Sequence, residues 1–459
     1  MHAIIITGLS GVLLMFFGAM NLKKMIIPTA IFFLAIALGF QISYHNQVLS
    51  YFQDSITIDN MSVTFGSLVL ILSIIVIFIS DHYYKGVKDP LESVYAVLVF
   101  SLVGILGLLS FGNFATFFIA LEIMSISMYI LTASKKTSGM SNEAAMKYFL
   151  TGTIATGILL FGITLIYGSC GSFDLHEIHN YVLAHKENLP IIFQTGLFMI
   201  IAAMCFKIAA VPFHFWTPDV YHGAPTLITA YMATVIKIAS IAAFYRLLAL
   251  SFSEISEIWQ WPLAIISALS IIYGNVAAIF QEKIKRMLSY SSIAHSGYFL
   301  MLFLAISPSS SNHLFFYSIA YSFATLATFV VLIIVREKTK DGTILAFSGF
   351  GTQSKLATAT MIVALFSLTG LPISAGFFAK YFVFYDTLQN GFTWLVVVAV
   401  VGSLISIYYY FRPIIYMLVK KSPDQEKFKL DLVSKFVLIL LLIGTLLLGI
   451  LPQWAQNLI

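Results

Sequence analysis

Long apolar runs recur along the whole chain, separated by short polar stretches. They fall near residues 3–19, 26–42, 61–81, 93–111, 114–133, 143–169, 191–222, 226–250, 262–281, 286–306, 312–335, 356–389, 393–419 and 432–451. A helix rises about 1.5 Å per residue, so about 20 apolar residues cross the hydrocarbon of a bilayer. The pattern therefore predicts an all-α polytopic membrane protein with about 14 transmembrane helices. A membrane barrel would instead show alternating segments of about ten residues. The seventh and twelfth runs exceed 30 residues. That is too long for one straight crossing and suits a break in the middle.

Both long runs carry the residues that would make such a break. FKIAAVPFHFWTPDVYHGAP holds Lys207 and Pro212, and SLTGLPISAGFFAKY holds Pro372 and Lys380. Proline removes an amide donor and clashes with the preceding turn, and a lysine at membrane depth costs a few kcal/mol. Freed backbone is tolerated in a bilayer only where protein buries it or where it lines a wet cavity. Both features point to a polar pathway at mid-membrane. The two broken segments lie five helices apart, an odd number, so equivalent segments run in opposite directions. The reading is a pair of inverted five-helix repeats, helices 4–8 and 9–13, with broken helices 7 and 12. The expected units are 1–92 (three N-terminal helices), 93–250 (first repeat), 251–419 (second repeat) and 420–459 (last helix).

Loop charge orients this arrangement. Lys23, Lys24, Lys85, Lys88, Lys135, Lys136, Lys283, Lys285, Arg286, Arg336, Lys338, Lys340, Lys355, Arg412, Lys420, Lys421, Lys427, Lys429 and Lys435 fall on one side. The opposite loops hold Lys186 and Arg246, with the acids Asp54, Asp59, Asp174, Glu177, Glu254 and Glu257. By the positive-inside rule both termini face away from the cytoplasm. The first run lacks a small-residue cleavage site and reads as a retained helix rather than a signal peptide.

Composition narrows the chemistry. Of 459 residues, 59% are hydrophobic and 10% charged, which excludes a soluble class. The net charge of +5 reflects the orienting lysines, and no nucleic-acid partner is implied. Cys170 and Cys205 have no metal or redox spacing, no glycine-rich phosphate loop follows a strand pattern, and no cysteine cluster suggests haem or an iron–sulfur site. Any redox chemistry or ATP use would belong to another chain.

Four lysines, Lys147, Lys207, Lys237 and Lys380, remain inside predicted spans, and Glu122 is the acid that lies near mid-membrane. A charge taken out of water has a proton affinity that its neighbours can move by several units, as a proton relay needs. The alternatives are a structural hydrogen bond for Glu122 and fixed counter-ion roles for the lysines, Lys207 toward Glu122 in particular. Lys147 follows Glu143 by one turn and also reads as an i, i+4 pair with a snorkelling tail. His295 lies among Ser291, Ser292, Ser296 and Tyr298, a face suited to a water wire, or is a satisfied core histidine. His214 and His222 flank the first break near Asp219, as a mouth or as caps, with no convincing metal spacing. Tyr408, Tyr409 and Tyr410 read as packing and interface belt.

Taken together, KIAAVPFHFWTPDVYHGAPT and IIYGNVAAIFQEKIKRMLSYSSIAHSGY resemble the antiporter-like membrane subunits of proton-pumping NADH:quinone oxidoreductase, complex I. The PFHFWTPDVYHGAP form is most similar to the subunit N branch, homologous to mitochondrial subunit 2. The resemblance covers helices 4–13 well and the ends by topology. It implies fourteen helices with inverted repeats, and proton-relay roles for Glu122, Lys207, Lys237, Lys380, Lys147 and His295. It also implies no cofactor in this chain, with NADH, FMN, iron–sulfur clusters and quinone in partner subunits. Expected neighbours are the antiporter-like subunit M, the small subunit K and membrane lipids, in a bacterial inner membrane. The long lateral helix expected of subunit L is not seen. A monovalent cation/proton antiporter subunit of the Mrp kind, without redox coupling, would use the same broken helices and ionisable residues. A third reading is a spacer whose lysines are fixed counter-ions.

Overall fold

The computed structural model describes residues 1–85, 91–420, 428 and 430–455. Lys88, Lys421, Lys427 and Lys429 lie outside the described residues. The chain is a helical bundle. In order it forms α1 (His2–Ala19), α2 (Ile26–Ser43), α3 (Asn60–Tyr83), α4 (Glu92–Leu109), α5 (Phe114–Thr132), α6 (Gly139–Cys170), α7 (Leu175–Ala184), α8 (Ile191–Lys207), α9 (Thr217–Gly223) and α10 (Thr226–Tyr231). There follow α11 (Lys237–Ser251), α12 (Ser256–Ile279), α13 (Ile284–Phe303), α14 (Pro308–Thr339), α15 (Phe350–Gln353), α16 (Lys355–Thr369), α17 (Ala375–Gln389), α18 (Thr393–Leu418) and α19 (Leu432–Ile450). A π-helical stretch, Met232–Ile236, joins α10 to α11 without interruption. Among the described residues, 11 helices are long and apolar enough to cross a membrane, with Ile191–Lys207 and Lys355–Thr369 as shorter apolar helices.

Helix ends follow local chemistry. Asp59 accepts from the Ser62 amide and closes a capping box at α3, and Ser307 with Ser310 does the same at α14. Asn113, Asp174 and Asp431 cap α5, α7 and α19. Each side-chain oxygen satisfies an amide that the helix geometry leaves without a partner. Small residues let neighbouring helices close up: a Cβ added to Gly162 of α6 would lie 2.8 Å from the carbonyl oxygen of Gly196 in α8, and the reverse holds too. In lipid such close backbone approach replaces the missing hydrophobic drive between helices.

The continuous helix Thr226–Ser251 lies at the centre and is buried up to Leu248, and the middle of α14 beside it is nearly all buried. Around them α4 packs on α5, α6 on α8, α12 on α13 and on α18, and α16 on α14 and α19. The α13 helix carries Lys285, Arg286 and several serines and is less apolar than its neighbours, yet all of it except Arg286 and Tyr290 is buried. A helix surrounded by protein has no lipid to meet, so its polar groups need only protein partners.

Several local features differ from the sequence-based expectation. A two-stranded hairpin, β1 (Leu49–Tyr51) with β2 (Ile56–Ile58), and the amphipathic α7 occupy segments expected as loops. Arg246, expected in an outer loop, is buried in α11 and paired with Asp59, and it also donates to Thr57 and to the Phe111 carbonyl. Lys285, expected in a basic loop, is buried in the first turn of α13 and donates to the carbonyls of His222 and Ala224. In both cases backbone carbonyls from another element satisfy a cation whose burial sequence alone does not show.

Candidate functional site

The first break is built at the end of α8. Its helix stops at Lys207, and residues 208–216, with Pro212 among them, are non-helical before α9 begins. Ala209 adopts a left-handed φ of 60°. The freed backbone is satisfied inside the protein. The Trp216 indole donates to the Phe206 carbonyl at 3.2 Å, Ser270 accepts from the Val211 amide at 2.9 Å, and Ser296 donates to the Ile208 carbonyl. Ser270 comes from α12 and Ser296 from α13, so the break is held by helices far away in sequence.

The second break lies between α16 and α17, where Pro372 sits in non-helical residues 370–374. Gly370 ends α16 at φ +86°, the left-handed cap that glycine favours. Gly376, in the first turn of α17, lies so close to the Ser367 carbonyl that a side chain there would collide with it. Lys380 donates to the Thr369 carbonyl at 2.7 Å and to Ser403 at 3.2 Å, and its ammonium lies 4.7 Å from the centre of the Tyr298 ring. It thus caps the negative end of α16 and meets a ring face.

Between the breaks runs a line of polar side chains. Thr156 of α6 donates to Glu122 at 2.9 Å, and Lys207 donates to Ser125 at 2.8 Å, one turn along α5 from Glu122. No ion pair within 4.0 Å joins Glu122 to Lys207 among the described residues. Lys237 donates to the Ser292 hydroxyl at 2.6 Å and to the Ser292 carbonyl. Tyr321 donates to the same hydroxyl at 3.1 Å. One turn along α13, His295 contacts the Tyr317 hydroxyl at 2.8 Å and the Tyr410 hydroxyl at 3.3 Å, and Tyr410 also bonds Ser291. Two small voids of about 10 Å³ each fill gaps in the line. One is lined by Lys207, Lys237, Tyr148, Trp216 and Tyr221; the other by His295, Lys380, Tyr317 and Tyr321. Each is about the size that holds one water.

A family model described as NADH:quinone oxidoreductase/Mrp antiporter, transmembrane region, matches residues 112–406. The NADH-quinone oxidoreductase subunit N of Flavobacterium johnsoniae is 40% identical over 92% of each chain. The chain belongs to the subunit N family of NADH-quinone oxidoreductases. A chain of respiratory complex I from Thermus thermophilus is 28% identical and superposes with a TM-score of 0.84 over 98% of this chain and 97% of that one. A chain of the Mrp complex from Dietzia sp. has the same fold, with a TM-score of 0.89 over 99% and 95% of the two chains at 18% identity.

In this member of the subunit N family, Lys147 stands apart from the line. Its side chain is 45% exposed and pairs with Glu143 at 2.8 Å and Asp219 at 2.9 Å, and Asp219 is held in turn by Arg286 at 3.0 Å. His222 lies in the last turn of α9, 3.3 Å from Lys283, and His214 packs its ring on Tyr273. Among the described residues no group of three or more His, Cys, Asp and Glu is placed to hold a metal. Tyr408 is exposed, as a belt residue would be, but Tyr409 and Tyr410 are buried and hydrogen-bonded, Tyr409 to Asn275 at 2.9 Å. The hydroxyl partners Ser125, Thr156, Tyr317 and Ser403 were not singled out from sequence. For Ser125 the signal was there, since it lies three residues beyond Glu122 and shares its helix face.

Proposed function

We propose that this chain conducts protons along the polar line that runs from half-buried Glu122 and Lys207 through buried Lys237 and His295 to Lys380. The chain is an antiporter-like membrane-arm subunit of a proton-translocating NADH-quinone oxidoreductase. In this reading NADH, FMN, iron–sulfur clusters and quinone are held by partner subunits, with subunits M and K as neighbours, in a bacterial inner membrane with both termini outside. The observation that carries the proposal is the pairing of two broken helices that each place a lysine beside a void about the size of one water. The two α-helical breaks, one in each half and each carrying a lysine, support the inverted-repeat reading.

The mechanism is electrostatic. Lys207 is held by Ser125, one turn along α5 from Glu122, so a change of charge at Glu122 alters the proton affinity of Lys207 without a fixed ion pair to break. A proton given up by Lys207 passes by the Trp216 and Tyr221 void to Lys237, then by Ser292 and His295 to Lys380. Moving one charge across 100 mV costs about 2.3 kcal/mol, and a tenfold change in proton affinity is worth about 1.4 kcal/mol. A change of roughly fifty-fold at one lysine therefore balances a potential of that size. Lys147, bonded to two carboxylates at the bundle surface, joins as a charge that tunes Asp219 and the mouth of the first break.

Lys→Arg substitution separates a relay from a fixed counter-ion, because arginine keeps the charge but does not release its proton. With assembly matched, Lys207→Arg and Lys380→Arg in inside-out vesicles are expected to abolish most NADH-driven proton pumping. Wild-type pumping in both would sink the relay and leave the lysines as counter-ions.

A further inference from the structure

A large cavity lies away from the polar line, at the lysine-rich end of the bundle. It measures about 490 Å³ and opens between the end of α3, the start of α4, the loop after α5, the start of α10 and the end of α14. That is the size of a small-ligand pocket. Four cations line it: Lys85, Lys135, Arg336 and Lys340. The acid on its wall, Glu337, lies 2.7 Å from His82. Arg336 donates to Thr226 at 2.7 Å, and among the described residues none of the four cations has a carboxylate within ion-pair distance. The Tyr84 hydroxyl, which also lines the cavity, is buried without a hydrogen-bond partner. The deeper wall is apolar, formed by Leu91, Val94 and Ile333.

We propose that this cavity binds a phosphate group, held by Lys85, Lys135, Arg336 and Lys340. Four cations that have no carboxylate within ion-pair distance among the described residues match a multivalent oxyanion. The apolar wall at the membrane edge suits the glycerol and first methylenes of an anionic lipid, which is attracted to such basic pockets. A free phosphate compound would meet the same cations without the apolar wall.

The test uses the intact complex carrying either the wild-type chain or Lys85→Gln, Lys135→Gln and Lys340→Gln combined. Each complex is stripped of lipid and offered phosphatidylglycerol or phosphatidylcholine vesicles, and bound lipid is counted by mass spectrometry; binding of labelled inorganic phosphate is measured in parallel. Each lysine near an anionic surface is worth about 1 kcal/mol, so three predict a loss of about 100-fold in affinity. Phosphatidylglycerol held by the wild type and lost from the variant assigns the site to a lipid headgroup. Inorganic phosphate bound by the wild type alone, with no difference in lipid, assigns it to a soluble phosphate compound. Equal lipid and equal phosphate in both overturns the proposal. Should the triple variant not assemble, Lys135→Glu in the exposed loop after α5 is used instead, with a loss of about tenfold expected and no loss overturning the site.

Discussion

Lys207 donates to Ser125, one turn along α5 from Glu122, rather than pairing with the acid itself. Among the described residues Ser125 is the acceptor within hydrogen-bond distance of the Lys207 ammonium, so the serine holds the lysine in place. A buried donor left without its acceptor costs about 1–3 kcal/mol. Ser125→Ala is therefore expected to slow NADH-driven pumping several-fold at matched assembly, and unchanged pumping would remove Ser125 from the path. Glu122, Lys207, Lys237 and Lys380 were legible in the sequence because ionisable residues are rare in apolar runs and expensive there. Their partners were not. Serine, threonine and tyrosine occur throughout such helices, and which of them faces a lysine depends on helix rotation and packing. Arg246 and Lys285 show the opposite case. Both looked like loop charges until the fold supplied Asp59 for one and two backbone carbonyls for the other.

At the level of elements, the two breaks were readable because their causes are local. Pro212 and Pro372 lie in non-helical backbone, and Gly370 ends its helix in a left-handed conformation. How the breaks are kept from unravelling was not readable, since Ser270 and Ser296 reach the first break from α12 and α13. Gly376 does comparable work at the second. Any side chain there would press on the Ser367 carbonyl and push α17 away from α16, carrying Lys380 off the Thr369 carbonyl. Gly376→Ala is expected to cost about 1–3 kcal/mol through overpacking. It should lower pumping more than it lowers the amount of assembled complex on a native gel; equal falls in both would make the glycine purely structural. The hairpin Leu49–Ile58 and α7 escaped a reading tuned to spans of twenty residues, because a three-residue strand or a ten-residue amphipathic helix leaves little periodic signal.

For the whole molecule, sidedness is the claim that the charge pattern makes and that labelling checks. Lys24→Cys and Ser309→Cys place thiols at exposed positions at opposite predicted ends. A membrane-impermeant maleimide is expected to reach the first only in inside-out vesicles and the second only in right-side-out ones. The reversed pattern would invert the orientation and with it the direction of pumping. The sequence by itself determined that the chain is a polytopic helical membrane protein, where its two long segments break, and that Glu122, Lys207, Lys237 and Lys380 lie within apolar runs. Those properties follow from hydropathy, proline and glycine chemistry and the cost of burying charge, all of which act over a few residues. Only the tertiary structure decided that Thr226–Ser251 is the buried centre, and that hydroxyls and small voids adjoin lysines from three different helices. It also decided that four cations from distant loops and helix ends share one cavity. These depend on which helix faces meet, and that is settled by packing between segments hundreds of residues apart.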